Sequence, residues 1–85
     1  MNELKIIGIN VTDRIKEAGR TQDILSEYSD IIKIRLGFHE LTDEKCSRNA
    51  LIVLQLKGDK TKWKQFEDQL NAVDGLVVKN MLFNF

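Results

Sequence analysis

The sequence predicts an α+β sandwich in which a four-stranded antiparallel sheet carries two helices on one face. Three observations predict it. Strand-like and helix-like stretches follow in the order strand, helix, strand, strand, helix, strand. The longest apolar run, Ala50 to Leu54 with Leu56 beyond it, is closed by Gly58-Asp59 and is far too short for a membrane span. It reads as a central strand. One stretch, Trp63, Phe66, Leu70 and Val73, repeats its apolar residues at clean helical spacing.

The elements follow in order. Leu4 to Val11 is the first strand, with Lys5, Ile7, Ile9 and Val11 on one face and Leu4, Ile6, Gly8 and Asn10 on the other. Thr12 or Asp13 can cap the helix that follows by accepting from an unpaired backbone N–H. That helix spans Arg14 to Tyr28, with Ile15, Ala18, Ile24, Leu25 and Tyr28 as its apolar side. Ser29-Asp30 turns the chain into a second strand, Ile31 to Phe38. Here Ile32, Ile34, Leu36 and Phe38 alternate with Lys33, Arg35 and Gly37, so the apolar set is expected against the core and Lys33 and Arg35 on the open side. His39 to Arg48 is polar and reads as a loop. Ala50 to Lys57 is the third strand, with Ala50, Ile52, Leu54 and Leu56 on one face and Leu51, Val53, Gln55 and Lys57 on the other. The second helix is capped by Asp59 or Thr61, and Gly75 supplies its left-handed end. Leu76 to Phe83 is the last strand. The arrangement is the ferredoxin-like split unit, and residues 1–85 make one domain.

Composition narrows the function classes. Lys plus Arg is 13 and Asp plus Glu is 13, so the formal net charge is zero. A protein that binds nucleic acid alone needs a basic patch, so direct DNA binding would require a surface assembled across subunits or a second protein. A single cysteine excludes an internal disulfide and, with no signal-like N-terminus and no membrane-length apolar run, leaves a soluble cytoplasmic protein as the expectation.

Two helices cover one side of a sheet. The other side would expose Leu51, Val53 and one apolar face of the first strand. Patches of that kind are uncommon on monomers, and small domains gain core by associating. A homo-oligomer, dimer or tetramer, with Leu51 and Val53 at its interface is therefore expected.

No catalytic constellation is present. The single histidine and the cysteine have no orienting third group, and a nucleophile needs a base beside it. Gly58-Asp59-Lys60-Thr61 lacks the glycine spacing of a phosphate loop. His39 and Cys46 are the soft metal-ligand candidates. A structural zinc site wants about four N or S ligands, so a metal sensor would need a second copy of the chain. Asp13 and Arg14, at the start of the first helix, are a cap and a surface charge, or else ligand contacts. No cofactor is called for. Base-stacking aromatics are missing from strands one and three, and cluster-ligating cysteines are missing altogether, so RNA binding and electron transfer are not expected.

Ile24, Leu25, Glu27, Tyr28, Asp30, Ile32, Arg35 and Gly37 form a specific string, preceded by Val11, Asp13 and Arg14 and followed by Gly75, Val78 and Lys79. In these residues the chain resembles the iron-only hydrogenase system regulators, small ferredoxin-like proteins related to ACT domains and to the ligand-binding domain of the nickel-responsive repressor. The resemblance runs from about Lys5 to Leu82. It implies a regulatory role, as of a transcriptional regulator, linked to iron-only hydrogenase genes in anaerobic bacteria. The resulting expectation is a non-enzymatic, ligand-sensing homo-oligomer, with a small-molecule effector at a subunit boundary near Asp13, Arg14, Arg35 and Gly37; the alternative is a metal sensor using His39 and Cys46 across an interface. The chain departs from the repressor where that family has a cysteine ligand, since Asn49 stands there, and nickel binding in that manner is not expected. The repressor's N-terminal DNA-binding arm is not expected either.

Overall fold

The computed structural model describes residues 2–12, 14–41 and 46–85. Its elements are β1 (Glu3–Val11), α1 (Arg14–Glu27), a 3-10 turn (Ser29–Ile31), β2 (Ile32–Leu41), β3 (Cys46–Leu56), α2 (Lys60–Asn71) and β4 (Leu76–Asn84). The four strands form one antiparallel sheet in the order β2-β3-β1-β4. This is the expected ferredoxin-like arrangement, and the apolar run does occupy a central strand.

The core lies between the sheet and the helices. Ile7, Ile9 and Val11 of β1 and Ile52, Leu54 and Leu56 of β3 present one continuous buried layer. Their alternation with less buried neighbours follows from the pleat. Trp63, Phe66, Leu70 and Val73 are all buried, as their spacing predicts. Phe66 is fully buried and meets Tyr28, just past the end of α1, at a ring-centroid distance of 5.3 Å. Trp63 donates its indole N–H to the Lys57 carbonyl at 2.8 Å, which satisfies the polar end of a buried ring.

The start of α2 matches the sequence, whereas the helix ends at Asn71 with a right-handed C-cap at Ala72, so Gly75 belongs to the turn into β4 rather than to the helix end. Asp59 accepts from the Thr61 backbone N–H at 2.9 Å and caps the helix, so Thr61 is the donor rather than the cap. Gly75 has φ of 89°, the left-handed conformation that a side chain resists. Its space is also limited, because a Cβ there would lie 3.3 Å from Glu17 Cγ and 3.4 Å from Thr12 Oγ1. Thr12 ties β1 to this turn twice, donating both its backbone N–H and its hydroxyl to the Gly75 carbonyl.

Three expectations need correction. Among the described side chains of α1, Glu17 and Thr21 are buried beside the expected Leu25, while Ile24 is partly buried against the core and the expected Tyr28, just past the helix, is buried. The side chains of Ile15 and Ala18 lie outside the described residues. A hydropathy stripe cannot see a carboxylate and a hydroxyl that pack against the sheet side of a helix.

The second correction concerns β2. Ile31 closes the 3-10 turn and is buried, and the strand starts at Ile32. Ile32 pairs with Leu56, but Ile34 pairs with Gln55, so Lys33 is an extra residue in the ladder. Such a bulge reverses the facing of everything after it. Ile32 therefore joins the core, whereas Ile34 and Leu36 lie on the open face at 46% and 58% exposure. Arg35, expected on the open face, stands opposite buried Leu54 on the helix side.

The third correction is the polar loop. Strand pairing continues through His39 opposite Ala50 and Leu41 opposite Cys46. Backbone hydrogen bonds carry the hairpin through polar residues whose propensity argues for a loop. Residues 42–45 of that expected loop lie outside the described residues.

Candidate functional site

The open face of the sheet is built from alternate residues of all four strands. The register places Leu51, Val53 and Gln55 of β3 beside Asn10, Gly8 and Ile6 of β1. It places Phe83, Met81, Lys79 and Val77 of β4 beside Leu4, Ile6, Gly8 and Asn10. On the other side, Ile34 and Leu36 of β2 stand beside Gln55 and Val53.

Two strands of this face are half-buried and two are not. Leu4, Ile6 and Val53 are partly covered by their neighbours. Ile34, Leu36, Val77, Met81 and Phe83 are 46–58% exposed, and Leu51 is 38% exposed. Lys79, opposite Gly8, interrupts the patch with a charge. Leu51 and Val53, the interface residues expected from the sequence, thus lie near the middle of a much wider apolar surface. The sequence concealed the β2 contribution because its apolar alternation pointed to the core.

The helix side of the sheet carries the polar ties. Glu67 of α2 pairs with Lys5 of β1 and accepts from the Asn80 side chain of β4 at 3.0 Å. It joins the helix to two adjacent strands. Arg35 donates from Nη1 to the Gln22 side-chain oxygen of α1 at 3.1 Å. It lines a shallow cleft of about 230 Å³ with Leu25, Ser26, Ser29 and Ile32. Lys62 donates to Asp30 at 2.7 Å. That bond first, and the Lys62 charge as well, hold the Asp30 carboxyl below its usual range, and the same bond raises Lys62.

Of the ligand contacts expected from the sequence, Arg35 and Gly37 alone are wholly among the described residues. Asp13 lies outside them, as does the Arg14 side chain. Arg35 reaches Gln22, eight residues along α1 from Arg14, which is about 12 Å of helix. Gly37 stands opposite Ile52, and a Cβ on it would meet nothing within 4 Å. The metal candidates are not register neighbours either, since His39 stands opposite Ala50 and Cys46 opposite Leu41. Their side chains lie outside the described residues. Among those that are described, no group of three or more His, Cys, Asp or Glu could hold a metal ion. Among them too, no helix is long and apolar enough to cross a membrane.

The architecture defines a small ferredoxin-like α+β protein with one face of its sheet uncovered by its own helices. The solved structure of an uncharacterized protein from Thermotoga maritima is similar to it, with a TM-score of 0.80 at 26% sequence identity. The match covers 98% of this chain and 100% of that one, so the two share the fold from end to end. No protein-family model and no curated protein sequence matches the chain.

Proposed function

We propose that the chain is a non-enzymatic, ligand-sensing regulatory module that works as a homo-oligomer joined through the open face of its sheet. The observation that carries this is the apolar surface contributed by all four strands, from Leu36 across Val53 and Ile6 to Met81. Large apolar patches on small proteins mark association sites. A second copy is the economical cover. A two-fold interface uses the same patch twice, and the aliphatic, Met and Phe composition suits an interface core. The regulatory part of the proposal rests on the sequence resemblance to the iron-only hydrogenase system regulators. In such a module the effector sits where subunits meet and biases their association or their grip on a target.

The test is a charge placed at the centre of the patch. Val53→Lys should keep the fold and reduce the native mass to that of a monomer. A variant that folds and retains the wild-type assembly would refute the open-face interface.

A further inference from the structure

At the end of the sheet where β1 begins and β3 finishes, an open groove of about 380 Å³ wraps around the strand ends. That volume is at the lower end of the roughly 300–1,000 Å³ typical of small-molecule sites. Its polar lining is unbalanced. Lys33, Lys57 and Lys60 line it together with Glu3, whose carboxylate pairs with Lys60. Among the described residues, no ion pair engages Lys33 or Lys57. Asp30 lies within electrostatic reach of Lys57 but is bonded to Lys62, and Asp59 caps α2. The start of α2 adds little to anion binding, because its first-turn N–H groups at Thr61, Lys62 and Trp63 bond to Asp59.

The bulge puts Lys33 here. It is the extra residue of β2, and it stands where the strand pairing has shifted. The outer wall is apolar. Leu4 lines it, and so does Phe85, which is 69% exposed while its backbone is held to Asn2 by two 2.9 Å hydrogen bonds. An exposed aromatic residue on an anchored backbone, beside two lysines that no ion pair engages among the described residues, matches a ligand with a planar group at one end and about two negative charges at the other.

We infer that this groove binds a nucleoside diphosphate. Its phosphates would lie on Lys33 and Lys57, and its base on the face of Phe85. The inference rests on the sensing function proposed above and names the effector class for it. Leu4 and Gln55 belong both to the groove and to the open face, so an occupied groove adjoins the proposed subunit interface.

The test uses ADP and inorganic pyrophosphate as probes of the intact chain, by titration calorimetry, with native mass recorded in parallel. ADP should bind saturably. The double substitution K33A/K57A should weaken it at least about tenfold, the scale of a lost charged hydrogen bond. Phe85→Ala should weaken ADP by about tenfold, the scale of one base stack, and leave pyrophosphate unchanged. No saturable ADP binding at millimolar concentration, or binding that K33A/K57A does not alter, overturns the inference. So does pyrophosphate binding as tightly as ADP with no effect of Phe85→Ala. Failure of the groove with an intact wild-type oligomer leaves the open-face assembly standing. A monomeric wild type that binds ADP overturns the assembly and not the groove.

Discussion

The two faces of the sheet are made from the same strands, yet they obey different rules. On β3, Ile52, Leu54 and Leu56 are sealed under the helices, while Leu51 and Val53, their immediate neighbours, look out from the other side. Both sets are apolar. What separates them is whether a partner within the chain covers them. The covered face has rings in contact, an indole with a hydrogen-bond partner and an acidic clamp at Glu67. The uncovered face has aliphatic side chains, Met81 and Phe83, one lysine, and, among the described residues, no helix packed on it. Hydrophobicity alone therefore does not say which face the chain's own helices cover, and topology decides that.

The sharpest way to break the comparison is to place the same charge on adjacent residues. Ile52→Lys buries an unpaired ammonium under the helices and should prevent folding, seen as loss of cooperative unfolding by circular dichroism. Val53→Lys, one residue along, should fold and dissociate. If the two variants behave alike, the distinction between the faces is wrong. Within the covered face, Phe66→Ala removes a fully buried ring and should cost about 3–5 kcal/mol in urea unfolding. A cost under 1 kcal/mol would mean the helix layer is loosely packed.

A smaller effect is expected at the turn that leads into β4. Gly75→Ala should destabilise by more than about 1 kcal/mol, because φ is 89° and Glu17 and Thr12 leave little room for a Cβ. The same substitution at Gly37, which has open space and an ordinary φ, should fall within about 0.5 kcal/mol of wild type. The smallest effect is electrostatic. Asp30 is depressed below its usual 3.8, so its pairing with Lys62 stabilises the fold above that pH. The contribution is lost as pH falls from there through the lower folded-state value. Lys62 is raised above 10.5, so its share is complete below that pH and fades as pH rises through the higher folded-state value. Both groups are exposed, and 1 M salt should erase most of the difference between wild type and Asp30→Asn at neutral pH.

Much of this architecture was legible in the sequence. The order of elements, the α2 stripe, the Asp59 cap and the left-handed Gly75 follow from spacing and turn chemistry. The face of β2 after Ile32 did not, because a bulge adds one residue without altering the apparent alternation. Ile34 and Leu36 look like core residues in sequence for the reason that they look like interface residues in the fold. Arg35 shows the same limit in reverse, since a charge expected in solvent turns toward α1 and finds Gln22. Glu17 and Thr21 were hidden because burial of polar groups depends on neighbours distant in sequence. The lysine groove was also invisible in one dimension, since Lys33 lies far from Lys57 and Lys60 along the chain and joins them through strand pairing.

The most direct test of the central claim is the native mass of the wild-type protein at micromolar concentration, measured alongside Val53→Lys. The account predicts a dimer or tetramer for the wild type and a folded monomer for the variant. A wild type that is monomeric, with no tendency to associate as its concentration rises, would contradict the claim that a second copy covers the open face.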